Sequence, residues 1–164
     1  MPKDKQEKTN VMRLIEAVGV PYAVYDYLSS GMVHSLDVAK VIGQDPDRMF
    51  KTLVTVSASG ENYVFMIPAS QALDLKKAAA AVGENKIDML RSKELLPLTG
   101  YVHGGCSPIG MKRFYQTTID DSAQLWERII FSGGKIGYMV EVATADLPRL
   151  FPFSVADLLA GADK

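Results

Sequence analysis

At 164 residues the chain has the length of one domain, enough to bury a real hydrophobic core without disulfides or metal. Eighteen lysines and arginines nearly balance nineteen aspartates and glutamates, so no net field holds a long stretch of nucleic acid and DNA is not an expected partner. One cysteine permits no internal disulfide, and with only His34 and His103 available a Cys/His metal site lacks ligands.

Thr9 or Asn10 is placed to cap a helix over 11–18, with Val11, Leu14, Ile15 and Val18 as its apolar face and Gly19 and Pro21 ending it. The charged segment 1–8 before it reads as a flexible tail. It is followed by no long apolar run of the kind a secretory signal needs, and nowhere does an apolar run approach the ~20 residues of a membrane span. A reducing cytoplasm is the expected compartment. Residues 22–27, aromatic and β-branched, predict a strand, and 29–31 a loop. Ser35 is the expected cap of a short helix over 36–42 that Gly43 stops. Residues 50–57 and 62–67 are the strongest strand signals, and the Ala58-Ser59-Gly60-Glu61 link between them predicts an antiparallel hairpin. Asp74 opens a helix that runs to Val82 and stops at Gly83. A short strand over 86–89 and a short helix over 92–96 follow, then an extended segment over 117–120 and a helical turn over 122–127. Residues 128–131 and 138–142 predict a strand pair flanking a glycine loop, and 146–150 and 155–159 predict short terminal helices. Strands and helices without regular alternation argue for a single α+β domain.

Two segments stand apart from this core pattern: Gly104-Gly105-Cys106-Ser107-Pro108-Ile109-Gly110 and Ser132-Gly133-Gly134-Lys135. Each sets paired glycines beside small polar or basic residues, and such backbone brings N–H groups close to a bound anion or carbonyl. A plain turn is the competing explanation. Cys106 and His103 suggest a thiol nucleophile and its base, but no third member is visible, and a small buried cysteine is the commoner case. Asp120 and Asp121 are adjacent and would face opposite ways on a strand, so a helix start at Asp121 accounts for them better than a carboxylate dyad.

Five blocks in one order carry a resemblance over nearly the whole chain, from about Val11 to Asp157. They are Phe50-Lys51-Thr52-Leu53, Leu73-Asp74-Leu75-Lys76-Lys77, Thr99-Gly100-Tyr101 and the two glycine segments. The sequence resembles the YbaK/EbsC family, aminoacyl-tRNA deacylases that act on Cys-tRNA(Pro) and are related to the editing domain of bacterial prolyl-tRNA synthetases. The resemblance implies a mixed, partly barrel-like sheet surrounded by helices. It also implies removal of cysteine wrongly attached to tRNA(Pro), with the aminoacyl-tRNA acceptor end and prolyl-tRNA synthetase as partners and no cofactor. A synthetic pocket discriminates poorly between amino acids as close in size as cysteine and proline.

By the same resemblance Lys51 holds the terminal phosphate or ribose and favours developing negative charge, although alternation along a strand also allows an outward-facing lysine. Thr52 adds a hydroxyl, and Gly104 and Gly105 supply backbone N–H groups to the ester carbonyl or terminal adenosine. Ser107 and Pro108 fix that loop, while Ser132, Gly133 and Gly134 are substrate-binding candidates with a structural turn as the alternative, and Lys135 is either a tRNA-phosphate contact or a solvated side chain. Tyr25, in the Tyr25-Asp26-Tyr27 stretch, corresponds to an aromatic near the family's pocket. No protein nucleophile is implied: the substrate's own thiol attacks its ester, and the protein orients and stabilises. One departure concerns substrate choice, because cysteine-specific relatives often carry Gly-Leu-Asp where this chain has Gly137-Tyr138-Met139. The alternatives are the same fold editing another mischarged tRNA such as Ala-tRNA(Pro), or a non-catalytic module that binds a tRNA end or a protein.

Overall fold

In a computed structural model of the chain, residues 8–161 are described. The expected tail lies outside them except for Lys8, whose ammonium pairs with Glu16 at 2.9 Å. Among the described residues are five α-helices and eight strands in two sheets that do not close into a barrel. No helix among them is long and apolar enough to cross a membrane.

The first sheet has three antiparallel strands in the order β1 (Ala23–Asp26), β7 (Tyr138–Ala143), β6 (Arg128–Lys135). The second has five, in the order β4 (Ile87–Met89), β2 (Phe50–Ser57), β3 (Asn62–Pro68), β5 (Thr117–Asp120), β8 (Ser154–Ala156). The β2–β3 hairpin forms as its pattern requires, with Lys51 opposite Ile67 and Thr52 opposite Met66. The sheets join where β2 approaches β6. There the Ile130 N–H donates to the Arg48 carbonyl at 3.0 Å, beside a bridge between Met49 and Ile130. Phe50, Ile129 and Phe131 are buried behind that seam. Each large apolar side chain so buried contributes about 1.5–3 kcal/mol.

Helix α1 (Asn10–Ala17) is capped by Thr9, whose side chain accepts from the Met12 N–H at 3.2 Å. It packs Val11, Met12 and Ile15 into the core, and Leu14 and Val18 stay exposed. In α2 (Ser35–Ile42) the cap is His34, not Ser35: the imidazole Nδ1 accepts from the Leu36 N–H at 3.4 Å. Asp74 caps α3 (Leu75–Val82) through the N–H groups of Lys76 and Lys77. Helix α4 (Ser92–Thr99) runs past Pro97, where the sequence predicts a stop, and ends at left-handed Gly100. Asp120 terminates β5, accepts from the N–H of Ser122 and Leu158, and is 1% exposed, so it is a structural clamp and not half of a carboxylate dyad. A 3-10 turn over Asp121–Leu125 follows, and α5 is Leu147–Leu150.

Two expectations are corrected. The segment Ser132-Gly133-Gly134-Lys135 is not a loop but the end of β6, with a register shift between Ser132 and Lys135. Residues 154–156 pair in parallel with β5 as a strand, where the sequence suggests a helix over 155–159. A short apolar run fits either structure, and here the open edge of β5 decides it.

A buried ion network braces the first sheet against the seam. Glu141 of β7 accepts from Arg128 Nε at 2.7 Å, from Arg48 Nη2 at 3.2 Å and from the Tyr25 hydroxyl. Burial alone would raise its pKa, but these hydrogen bonds outweigh it and hold the carboxyl below its ordinary 4.5. Removing it leaves Arg48 partly buried without its counter-charge. Glu141→Ala is therefore expected to lose about 3 kcal/mol in urea unfolding at pH 7. Because the folded pKa is depressed, the ionised carboxylate contributes its full stabilisation above the ordinary value and loses it as pH falls through the folded one. The gap between wild type and Glu141→Gln should accordingly narrow as pH falls below the ordinary value of 4.5.

Candidate active site

A cavity of about 440 Å³ opens at the seam. The first half of β2, Phe50 to Val54, forms one wall. The end of β4 and start of α4 close a second side with Met89, Leu90, Ser92 and Leu95. Ser132 and Met139 come from the first sheet, His34 and Ser35 from the start of α2, and His103, Gly104 and Cys106 from the first glycine segment. The lining is largely apolar, with few polar groups directed inward, as small-molecule sites commonly are.

Lys51 is half-buried, and desolvation lowers its pKa. Its ammonium makes one long hydrogen bond, to the Ala69 carbonyl at 3.5 Å, and no carboxylate among the described residues pairs with it. It is the only lysine, arginine or carboxylate in the lining. Next to it, the Thr52 hydroxyl is buried with no hydrogen-bond partner. A half-buried cation without a counter-charge and an orphaned buried hydroxyl are both costly to the folded state.

Gly104 lines the cavity at φ +91, and a Cβ there would lie 2.5 Å from Val33 Cγ1, so the segment before α2 rests directly on it. Its neighbour is used differently. The Gly105 N–H donates to the Val102 carbonyl at 2.9 Å, and the residue packs against the backbone of Ile136, which removes that N–H from an oxyanion-binding role. Ser132 lines the cavity and its Oγ accepts from the Gly134 N–H at 3.0 Å, leaving its hydroxyl proton available to a ligand.

Seven of the residues picked from sequence lie elsewhere. Gly105 supports the turn. Ser107 is fully buried and its Oγ accepts from the Ile109 N–H, while Pro108 lines a second, smaller hollow between α1 and residues 108–117. Gly133 abuts Tyr138, and a Cβ on Gly134 would meet Val11 Cγ2 at 2.5 Å, so the β6 bulge lets α1 pack closely. Tyr25 shares the sheet with Met139 but directs its hydroxyl to Glu141. Lys135 is exposed at the end of β6. Cys106 is 8% exposed, and burial pushes its thiol up to about 12, which keeps it protonated and packed in the wall.

The sequence analysis missed His34, Ser35, Met49, Phe50 and the β4–α4 residues as lining. Both histidines of the chain meet at this one cavity, and their rarity was the available signal. Met139, noted as a departure, lies in the wall itself.

The model of the aminoacyl-tRNA editing domain matches residues 31–150, which include every lining residue of the cavity. A protein of Enterococcus faecalis with the provisional name Cys-tRNA(Pro)/Cys-tRNA(Cys) deacylase EbsC is 45% identical over 142 residues, covering 86% of this chain and 87% of that protein. A proline–tRNA ligase of Pelobacter propionicus is 32% identical over 77 residues, 47% of this chain but 13% of the ligase. A solved structure described provisionally as a trans-editing enzyme for prolyl tRNA synthetase matches with TM-score 0.80 at 25% identity, over 93% of this chain and 99% of that one. The chain belongs to the aminoacyl-tRNA editing domain family.

Proposed function

We propose that this protein is a trans-editing deacylase that clears cysteine from Cys-tRNA(Pro) in the cytoplasm, working beside prolyl-tRNA synthetase. The observation that carries the reading is Lys51, a half-buried ammonium with no carboxylate partner among the described residues, in a cavity whose lining also includes Thr52, whose buried hydroxyl has no partner. The name of the Enterococcus relative and the partial match to a proline–tRNA ligase support the substrate and the synthetase. The near-neutral charge agrees, since the synthetase can hold the tRNA body while this chain takes the acceptor end.

The reaction needs no nucleophile from the protein. The substrate thiol attacks its own ester carbonyl, a C–S bond forms, and the bond from the carbonyl carbon to the ribose 3′ oxygen breaks. The thiol proton ends on the released tRNA hydroxyl, and cysteine leaves as a cyclic thiolactone. As negative charge gathers on the carbonyl oxygen, Lys51 and the backbone at Gly104 stabilise it, while Thr52 and Ser132 orient the ester. The lining methionines Met49, Met89 and Met139 accommodate a thiol as well as a methyl group. Met139 thus favours a second reading, in which the same cavity also accepts Ala-tRNA(Pro).

Lys51→Ala should lower deacylation of Cys-tRNA(Pro) by about 10²–10³-fold, measured as loss of labelled cysteine under single turnover. Persistence of the wild-type rate would remove Lys51 from the mechanism. Release of cysteine but not serine from tRNA(Pro) is expected, because serine is nearly isosteric and a far weaker nucleophile. Equal rates would contradict thiol assistance, and rapid loss of alanine would favour the second reading. Native Cys106 should resist a thiol reagent at pH 8 and react on unfolding, with no loss of deacylation beforehand.

A further inference from the structure

The functional reading places the ester against Lys51 and leaves the rest of the acceptor end unassigned. At the mouth of the cavity stand two imidazoles, His34 and His103, both exposed. The segments that carry them pack together, because a Cβ on Gly104, next to His103, would lie 2.5 Å from Cγ1 of Val33, next to His34. Around them lie the exposed apolar side chains of Met32 and Val33 (each 41%) and Val102 (46%). His34 is held in place as the cap of α2, with Nδ1 engaged by the Leu36 N–H.

The charge of this lip is as informative as its rings. Among the described residues, no lysine, arginine or carboxylate lines the cavity apart from Lys51. A phosphate-gripping mouth would need several cations, and counterion release would then dominate affinity. What the lip offers instead is flat aromatic and apolar surface, the material on which unpaired bases stack without sequence-specific hydrogen bonds.

We propose that His34 and His103 form a stacking lip that receives the unpaired 3′-terminal base of the acceptor strand. The inference rests on the deacylase reading for its ligand, an RNA whose 3′ end is single-stranded and terminates in adenine. The lip positions the terminal nucleoside so that its ribose ester hangs into the cavity toward Lys51. His34 and His103 are thus binding residues, and their loss raises KM while leaving kcat in place.

The test is equilibrium binding of a short single-stranded RNA ending in CCA to the full chain, across a range of salt concentrations. Replacing the terminal adenine by an abasic residue is expected to weaken binding on the order of tenfold, the worth of one stacked base. His103→Ala and His34→Asn, the second of which keeps a capping side chain for α2, should each produce a comparable loss with an unchanged melting temperature. His103→Phe should restore binding, since it keeps a ring but no hydrogen-bonding nitrogen. With Lys51 turned to the ester and no other lysine or arginine among the described lining residues, log K should fall only weakly with log salt, at a slope no steeper than about −0.7.

Equal affinity for the abasic RNA, failure of His103→Phe to rescue, or a slope several times steeper would overturn the proposal. Deacylation followed in parallel separates it from the reading on which it rests. Ring-dependent RNA binding without any release of cysteine supports the lip and overturns the editing reaction. Cysteine release with KM unchanged in both histidine variants overturns the lip and leaves the reaction standing.

Discussion

Two open sheets meet along one short seam, and the backbone hydrogen bond from Ile130 to Arg48 fixes where they meet. Arg48 then reaches across with its side chain to Glu141, so main chain and ion network act at the same point. The immediate consequence is packing: Phe50 and Phe131, one from each sheet, enter a common core. The functional consequence lies on the other side of the seam. There the first half of β2 is left without a full neighbouring sheet, and the cavity occupies that gap. Loss of the seam would remove the cavity along with the core.

Lys51 follows from this geometry. Inside a continuous sheet an interior lysine would be excluded or paired, because desolvation of an ammonium is costly. At the seam it is half-buried, lowered in pKa by desolvation, and tethered only by one long hydrogen bond. A cation kept in that condition is suited to charge that develops during reaction and is absent at rest. On the proposed mechanism an aminoacyl ester is already activated and the substrate thiol supplies the nucleophile, so a constellation without a triad suffices. The protonated, packed Cys106 agrees with that division of labour.

The sequence is legible wherever local chemistry decides structure. Asp74 and Gly83 bound α3 as capping rules require, and the apolar, β-branched runs over 50–57 and 62–67 yield the hairpin that carries Lys51. It misleads where a distant partner decides. Val155 pairs with Ile119 of β5, a contact with no trace in the local pattern, and so a strand was read as a helix. Glycine is ambiguous in the same way. Gly104 does sit at the cavity, but Gly133 and Gly134 serve the close approach of Tyr138 and of Val11, and a glycine pair alone does not tell a ligand from a packed neighbour. Tyr25 was misplaced because its hydrogen-bond partner, Glu141, lies 116 residues away. Within the lining, Lys51, Thr52, Gly104 and Ser132 were found through motifs, whereas His34 and the β4–α4 wall depend on tertiary proximity.

The central claim is that Lys51, at the seam, meets the reacting carbonyl of an aminoacyl ester. The most direct measurement is a crystal structure of the protein with an amide-linked, unreactive analogue of 3′-cysteinyl-adenosine. The account predicts the analogue's carbonyl oxygen within about 3 Å of Lys51 Nζ, with its thiol turned toward the methionine-lined wall. An analogue seated in the cavity with its carbonyl away from Lys51, or bound in the hollow beside Pro108, would contradict it.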